Sequence, residues 1–327
     1  MKSHFYYKDK KQVVPVLDEE KNKQAKKKLA HILKTKKELI PDHFIEQWSE
    51  VALYNPGGDV EKANAILINA EDGAYDLSNP LNEMTGKEWV KFSCSWFIFN
   101  ALHKDLKEER DISPNTQDHP ATFSPTMIEG FINFFTKKGE AVLDPFCGIG
   151  STMVACKRTG RVGYGIELNK KYYDLSLKRT PEFKKTIFNE NAANIKKLKL
   201  PKISFSISSP PYWDVLNRST KDFKKDRTKD GFDVNYSEAE EDLGNIGDYD
   251  LFLEKLANIY FDIFDLLKDG GYLVVIVKNI KKEGKMYPLA WDLARLLSKK
   301  YMLKDEKLWI QDKVGLAPYG YPSAWAS

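Results

Sequence analysis

Between residues 124 and 313 the chain alternates between two patterns of apolar and polar positions. Short, continuous apolar runs predict buried strands, and apolar residues spaced three and four apart predict helices. The strongest helical pattern covers 249–267, where apolar residues stand at positions 252, 256, 259, 260, 263, 264 and 267. The strongest strand patterns are ISFSIS at 203–208 and GGYLVVIVKN at 270–279.

Strands and helices alternate throughout this region. Further helices are predicted over 124–138, from a glycine-containing turn to 159, over 170–179, near 192–199 and over 287–299, and further strands over 141–143, 162–166, 186–188 and 307–313. Such alternation is typical of a parallel sheet with helices on both faces. We therefore expect an α/β fold with a doubly wound sheet.

The first 115 residues lack this regularity. The pattern of residues 16–40 indicates a charged helix. Glycine is frequent among the polar residues of 53–86, so we expect irregular structure or short elements there. The polar segment 107–120 is broken by two prolines and predicts a domain boundary. We expect an accessory region over 1–115 and a second domain over 116–327, which a polar insertion at 214–247 interrupts.

Length and composition narrow the class of protein. With 327 residues, 42% of them hydrophobic, the chain can bury a sizeable core. No apolar run is long enough to cross a bilayer, and the charged N-terminus lacks the apolar centre of a secretory signal. Cys94, Cys147 and Cys156 have no CxxC spacing, which is typical of reduced thiols and not of a zinc site. We expect a cytoplasmic protein with no membrane or metal partner.

The net charge of +4 is unevenly distributed. Residues 1–40 hold twelve lysines against five acidic residues, and residues 217–229 hold six basic residues against two acidic ones. Basic patches attract polyanions such as nucleic acids. Lysine-rich runs also cover solvated helix faces, so each run alone leaves both interpretations open.

A glycine-containing turn follows the first predicted strand of the regular region, in VLDPFCGIGST at 142–152. Gly148 and Gly150 allow a tight turn and a close approach of the backbone to a ligand, although the third glycine of a dinucleotide motif is absent. Asp144 ends the strand and can accept hydrogen bonds from a cationic amine. Glu167 ends the next strand, where a carboxylate binds ribose hydroxyls. This combination predicts a nucleoside that bears an amino group, and S-adenosylmethionine fits.

The stretch DPFCGIGSTMVACKRTGRVGYGIELNKKYYDLSLKR at 144–179 resembles the cofactor-binding half of the DNA amino-methyltransferases, which methylate cytosine N4 or adenine N6. HPATF at 119–123 is similar to the family segment that lines the methionine end of the cofactor, and SPPYW at 209–213 resembles the catalytic signature. The resemblance spans about residues 116–313 and implies a Rossmann-like, S-adenosylmethionine-dependent methyltransferase domain.

The same resemblance implies a set of cofactor-site residues, namely His119, Pro120, Thr122, Phe123, Asp144, Pro145, Phe146, Gly148, Gly150, Ser151, Thr152 and Glu167. Asn191 is added to the predicted site, although the family often has an aspartate near the adenine at that place.

Two consecutive prolines in SISSPPYW (206–213) cannot lie inside a central strand, yet they directly follow a predicted buried strand. The lone pair of an exocyclic base amine is delocalised into the ring, so the amine is a poor nucleophile. Acceptors for both of its N–H bonds would free that lone pair. We assign them to the Ser209 hydroxyl and the Pro210 carbonyl, with Pro211 fixing the turn. Tyr212 and Trp213 can stack on a base that has left the duplex.

Two features of the motifs indicate which atom of the base is methylated and where the target-recognition region lies. No cysteine follows a proline, so the nucleophile needed for methylation of cytosine carbon 5 is missing. In the family, a serine in the first place of the signature is more typical of cytosine N4 than of adenine N6 methylation, and we expect cytosine N4. The signature follows the glycine turn, whereas many SPPY relatives have the reverse order. The target-recognition region is therefore expected within 1–115 or 214–247.

The predicted partner is double-stranded DNA, with a cognate restriction endonuclease or specificity subunit as a further one. Nucleic-acid contacts are predicted at Trp213, Asn217, Arg218, Lys221, Lys224 and Lys225. A solvated loop explains the last five equally well. The end of the chain, APYGYPSAWAS, resembles the approach to the last strand of the family, and the chain stops before that strand.

Three alternatives stay open. RNA guanine-N2 methyltransferases share this order of motifs and a related P-P-Y signature. Protein glutamine methyltransferases use a P-P-Y turn, usually with asparagine first. A non-catalytic DNA-binding protein on a methyltransferase scaffold is the third; the missing last strand favours it, and the intact acids and SPPY signature oppose it. Ser209 and GIELN at 165–169 favour DNA.

Overall fold

The structure is a computed structural model that describes residues 79–99, 124–213 and 242–310, except 83, 85 and 283, and the backbone of four strands nearer the N-terminus. The chain forms two compact units, Met1–Cys94 with Asn133–Lys138, and Ser95–Ile132 with Gly139–Ser327. The predicted boundary near residue 115 and all but the last residues of the predicted insertion lie outside the described residues and stay predictions.

The first unit contains an antiparallel sheet. Its strands pair in the order β2-β1-β3-β4, with β1 at His4–Tyr7, β2 at Gln12–Pro15, β3 at Ala65–Asn69 and β4 at Gly73–Asp76. Helix α1 (Gly86–Phe92) follows, and its Phe92 ring stacks on Phe134 at a centroid distance of 4.6 Å. Short elements were predicted at 53–86, and β3 and β4 are short strands within that range.

The second unit holds the predicted parallel sheet. Its described part begins with the short strand β5 (Trp96–Ile98), and helix α2 (Pro125–Phe135) belongs to it as far as Ile132. The sheet strands are β6 (Ala141–Asp144), β7 (Val162–Glu167), β8 (Ile187–Asn189), β9 (Ile203–Ser208) and β10 (Leu267–Val275). The helices are α3 (Ser151–Thr159), α4 (Lys170–Arg179), α5 (Tyr249–Leu266) and α6 (Leu289–Leu297), with short 3-10 helices at Pro181–Phe183, Ala192–Lys197 and Leu243–Asn245. The predicted α/β class and doubly wound sheet are confirmed.

The order of strands across the sheet is β10-β9-β6-β7-β8, and every pair is parallel. The chain therefore moves outward from β6 to β8, returns to the other side of β6 as β9, and continues to β10. In open α/β sheets, ligands bind beyond the carboxyl ends of the strands at such a reversal. Leu143 of β6 pairs with Ser206 of β9, so Asp144 and Ser209 both follow at this edge.

Right-handed crossovers that run in opposite directions place helices on both faces of the sheet. The larger core cluster contains buried residues of α5 and α6, among them Phe252, Leu256, Tyr260 and Leu289. A smaller cluster joins Met153 of α3 to the glycine turn and β8. Each fully buried large apolar side chain contributes about 1.5–3 kcal/mol, so these clusters hold the helices on the sheet.

Two parts of the second unit differ from the predicted elements. Strand β10 begins at Leu267, earlier than predicted, and its pairing with β9 is irregular between Leu267 and Tyr272. The following residues form an unpredicted hairpin of β11 (Ile280–Lys282) and β12 (Lys285–Tyr287), with Gly284 in the left-handed region at φ 78°. Three-residue strands rich in lysine give no clear period-two pattern, and the hairpin was missed for that reason.

The last described strand, β13 (Leu308–Ile310), pairs in parallel with β5. It lies within the predicted strand at 307–313. Among the described helices, none combines the length and apolar character that a membrane span needs. The predicted cytoplasmic location stays a prediction.

Candidate active site

Asp144 ends β6 and has only 1% of its surface exposed. Its Oδ1 accepts a hydrogen bond from the Phe146 N–H at 3.0 Å, and its Oδ2 accepts one from the Thr152 hydroxyl at 2.5 Å. Burial raises the pKa of this carboxyl to about 6, and the two hydrogen bonds oppose that rise because they stabilise the ionised form. The carboxylate thus ties the glycine turn to the first turn of α3.

The glycine turn needs its glycines for geometry. Gly148 and Gly150 lie in the left-handed region, with φ angles of 52° and 85°. A Cβ on Gly150 would stand 3.0 Å from the Ser176 Cβ, so only glycine allows this approach of the turn to α4. Arg179 at the end of α4 donates to the Ile149 carbonyl at 2.6 Å. The turn is therefore fixed from two sides before any ligand binds.

Glu167 ends β7 and completes the turn. Its Oε2 accepts from the Gly148 N–H and its Oε1 from the Asn169 N–H, each at 2.8 Å. Burial raises the pKa of Glu167 to about 7, and the nearby charges of Asp144 and Asp242 add to the rise. Two carboxyls with raised pKa values at neighbouring strand ends are typical of a functional site.

Asp242 was not identified from the sequence. It is buried at 5% exposure, directly before the 3-10 helix Leu243–Asn245, and its Oδ1 accepts from the Gly244 N–H at 2.8 Å. Its pKa is raised, chiefly by burial. The sequence feature that indicates Asp242 is its position directly before Leu-Gly-Asn, where an aspartate is favoured as the N-cap of a helix. Because Asp242 is far from Glu167 in the sequence, the electrostatic interaction between the two carboxyl groups could not be predicted.

The proposed catalytic turn leaves the end of β9. The Ser208 carbonyl accepts from the Ile276 N–H at 2.8 Å, and its hydroxyl lies 2.9 Å from the buried Tyr260 hydroxyl. Pro210 is buried, and Ser209, Pro211 and Tyr212 are half-buried. Burial raises the pKa of Tyr212, while a hydrogen bond with the Ser209 side chain opposes the rise. The signature is thus anchored through Ser208 and partly open to solvent.

Trp213 differs from its predicted role as a nucleic-acid contact. It is 3% exposed, and its indole N–H donates to the Gly247 carbonyl at 3.2 Å. Its ring packs against Tyr249 and Tyr287 at centroid distances of 4.9 and 4.7 Å. In this arrangement Trp213 is a packing residue at the start of the insertion. Base stacking stays a prediction for Tyr212.

Asn191 follows β8 and serves as an N-cap. Its Oδ1 accepts from the Ala193 N–H at 2.9 Å, which starts the 3-10 helix Ala192–Lys197. Its own N–H donates to Glu190 Oε1 at 2.8 Å. The bond to Ala193 holds the Asn191 side chain at the sheet edge where β7 and β8 end, and its predicted role near the adenine stays a prediction.

The remaining predicted site residues lie outside the described residues, namely His119, Pro120, Thr122, Phe123, Asn217, Arg218, Lys221, Lys224 and Lys225. In the part of the chain that the structure describes, no group of three or more His, Cys, Asp or Glu residues could hold a metal ion.

A sequence model of DNA methylases, the N6/N4 methyltransferases, matches residues 2–178 of this chain. That range covers more than half of the 327 residues. The chain belongs to this DNA methylase family. The matched range contains the glycine turn, Asp144 and Glu167, and it ends before the Ser209–Tyr212 turn.

Two relatives of this chain show the extent of the similarity. The Type II methyltransferase M.Cfr9I of Citrobacter freundii is 44% identical over 61 residues, which are 19% of this chain and 20% of that protein. The Type II methyltransferase M.BglI of Bacillus subtilis is 32% identical over 104 residues, 31% of this chain and 26% of that protein. The matches therefore span about a fifth to a quarter of these relatives.

Among solved structures, a TehB-like SAM-dependent methyltransferase of Corynebacterium glutamicum aligns over 59% of this chain and 79% of that one. The alignment has a TM-score of 0.33 and 14% sequence identity.

Proposed function

We propose that this DNA methylase transfers a methyl group from S-adenosylmethionine to an exocyclic base amine of double-stranded DNA, at cytosine N4 in preference to adenine N6. One observation carries the proposal. Asp144 ends β6 and Ser209 directly follows the adjacent parallel strand β9, so the glycine turn and the SPPY turn lie at the same edge of the sheet, at the chain reversal where open α/β sheets bind ligands.

Family membership supports DNA as the substrate. The names of the relatives, which are Type II methyltransferases, support a restriction–modification setting. We therefore include a cognate restriction endonuclease or a specificity subunit as a proposed partner.

The residues around the glycine turn fit S-adenosylmethionine by their chemistry. The ligand's ammonium group and ribose hydroxyls are donors, and carboxylate oxygens accept more than one hydrogen bond each. Glu167 is half-buried, so its oxygens can accept from ribose hydroxyls while they hold the Gly148 and Asn169 N–H groups. Asp144 adds negative charge behind the turn. When bound, the cofactor supplies an electrophilic methyl group.

The proposed wall of this site is completed by Pro145, Phe146, Gly148, Gly150, Ser151 and Thr152. Among them, Phe146 is half-buried, and its ring lies 6.3 Å from that of Tyr260 in an edge-on arrangement. This contact joins the glycine turn to α5, the helix that also anchors Ser208.

The chain's own residues orient the base amine. A Ser209 hydroxyl that donates to Tyr212 keeps the lone pairs of its Oγ for one N–H of the amine. The Pro210 carbonyl accepts the other N–H, and the fixed φ angles of the two prolines hold it in place. Tyr212 stacks on the flipped base. Both N–H bonds are then held, and the nitrogen lone pair is free to face the methyl donor.

Label transfer from S-adenosylmethionine to duplex DNA and to RNA of the same sequence tests this function. We expect label on DNA, together with cofactor binding by calorimetry. Label on RNA alone would replace the substrate, and the absence of cofactor binding would contradict the proposed cofactor site.

A further inference from the structure

Lys278 lies at the sheet edge from which the SPPY turn departs. Val275, the last residue of β10, pairs with Ser208, and the Ile276 N–H donates to the Ser208 carbonyl at 2.8 Å. The two parallel strands therefore end side by side, and the segments that follow them, 209–213 and 276–279, begin at neighbouring points of this edge. Lys278 belongs to the second segment, and it is exposed.

The ammonium group of Lys278 contacts the ring of Tyr212. Its Nζ is 5.2 Å from the ring centroid, which is within the range of a cation–π contact. Within the part of the chain that the structure describes, Lys278 makes no salt bridge, so no carboxylate competes with the ring for this cation. The half-buried Tyr212 also has a hydrogen bond with the Ser209 side chain. The phenol is thus held at its hydroxyl by Ser209 and at one ring face by Lys278.

Hydrogen bonds fix the backbone on both sides of Lys278. Before it, Ile276 continues the pairing of β10 with Ser208. After it, the Asn279 Oδ1 accepts from the Ala290 N–H at 3.1 Å in the first turn of α6, and Ile280 is buried. The Cα of Lys278 is therefore held between a strand end and a helix start, within reach of the Tyr212 ring.

We propose that Lys278 is a positioning residue for methyl transfer, whose ammonium group covers one face of the Tyr212 ring and directs the other face toward the flipped base. This role rests on the proposed function, in which Tyr212 stacks on that base. A hydrated cation on one face leaves only the opposite face for stacking. The cation also reduces the negative potential of the ring, which disfavours face-to-face stacking of aromatic groups.

The test is single-turnover transfer of labelled methyl from S-adenosylmethionine to duplex DNA of mixed sequence by the full chain, with DNA and cofactor saturating. Lys278→Met removes the charge and keeps a long, unbranched side chain. We expect the rate to fall roughly threefold to tenfold, the range expected for the loss of one cation–π contact. Cofactor affinity by calorimetry should not change, because the glycine turn is untouched. Lys278→Arg keeps a cation over the ring and should restore the wild-type rate.

Variants of Tyr212 show whether Lys278 acts through the ring. Tyr212→Phe keeps a ring, so Lys278→Met should slow transfer by a similar factor in that background. Tyr212→Leu removes the ring, so Lys278→Met should have no further effect there. An effect of Lys278 on the fold would instead lower the rate equally in both backgrounds.

A charge control uses Lys281, an exposed residue of β11. Lys281→Met makes the same charge change three positions along the chain and should leave the saturated rate unchanged. If it slows transfer as much as Lys278→Met does, the effect comes from net charge and the positioning role is wrong.

Other outcomes overturn the positioning role and leave the proposed function intact. These are a wild-type rate for Lys278→Met, equal slowing by the methionine and arginine variants, and a further loss in the Tyr212→Leu background. A faster rate for Lys278→Met also overturns it, because the ammonium group would then occupy the ring face that the base needs. A wild type that binds the cofactor and methylates no DNA overturns the proposed function, and the role of Lys278 with it.

Discussion

The hydroxyl of Tyr260 lies 2.9 Å from the hydroxyl of Ser208, and both side chains are fully buried. Tyr260 stands on α5, and Ser208 is the last residue of β9, directly before Ser209. This hydrogen bond fixes the residue from which the SPPY turn departs. A change at Tyr260 should therefore act on the chemistry without any contact with the base.

Replacing Tyr260 by Phe removes the hydroxyl and leaves the buried Ser208 hydroxyl without this partner. We expect the free energy of unfolding to fall by about 1–3 kcal/mol and single-turnover methyl transfer to slow, with cofactor affinity unchanged. Tyr301→Phe is the matched control, since the Tyr301 hydroxyl donates to the Tyr260 carbonyl at 2.6 Å. It should cost similar stability but leave the rate intact. Equal rates in the two variants contradict the positioning role.

Ser209→Ala removes the proposed acceptor of the base amine. We expect methyl transfer to fall roughly 100-fold, the size of effect seen when one aligned polar group is lost from a preorganised site. Ser204→Ala is the control on the same strand, because Ser204 bonds Glu140 at 3.0 Å at the other end of β9. Calorimetry should show normal cofactor affinity for both variants. Transfer by Ser209→Ala at the wild-type rate is incompatible with the assigned role.

Gly150→Ala should lower the free energy of unfolding for two reasons, an unfavourable backbone conformation and a steric contact of the added Cβ. Gly150 has φ 85°, and its added Cβ would meet Ser176 Cβ at 3.0 Å. Gly139 has φ 78° with no atom within 4 Å of the added Cβ, so Gly139→Ala measures the backbone cost alone. That cost is about 1–2 kcal/mol. Urea unfolding should show a larger loss for Gly150→Ala, together with weaker cofactor binding. Equal losses would show that the turn does not need its close approach to α4.

Asp144→Asn tests the buried charge. The pKa of Asp144 rises from its ordinary value of 3.8 to about 6 on folding. The folded chain therefore binds this proton more tightly than the unfolded chain, and the stability it contributes is lost as the pH rises from about 4 through 6. The loss is on the order of 3 kcal/mol.

Asparagine can keep both contacts, since its amide oxygen can accept from the Phe146 N–H and its amide nitrogen can donate to Thr152. Urea unfolding between pH 4 and 7 should then show a shallower decline for the variant than for the wild type. The decline that remains reflects Glu167, whose pKa is raised to about 7. Parallel curves would mean that Asp144 titrates normally. Cofactor affinity of the variant should fall, because its negative charge is gone.

Many helices and strands of the second unit could be predicted from the local pattern of apolar and polar residues. Helices α4 and α5 and strand β9 lie within one residue of their predicted bounds, and α3 ends at the predicted residue, because the apolar residues of each element follow the spacing typical of that element. The place of the glycine turn at the end of β6 was also predictable, since glycines and an acid mark the end of a strand.

Features that depend on contacts between distant parts of the chain could not be predicted from the sequence. Trp213 lies next to Tyr212 in the chain, but only the packing of Tyr249 and Tyr287 around it reveals that it is buried. The electrostatic contact of Asp242 with Glu167 depends on how the chain returns to the sheet after the insertion.

Mass spectrometry of nucleosides from duplex DNA, incubated with the protein and isotopically labelled S-adenosylmethionine, identifies which base and which atom receive the methyl group. We expect labelled N4-methylcytosine, formed roughly 100-fold more slowly in the Ser209→Ala reaction. Labelled N6-methyladenine alone would contradict the choice of base and keep the amine chemistry. Label on cytosine carbon 5, or no labelled nucleoside while the cofactor is bound, would contradict amine methylation at Ser209.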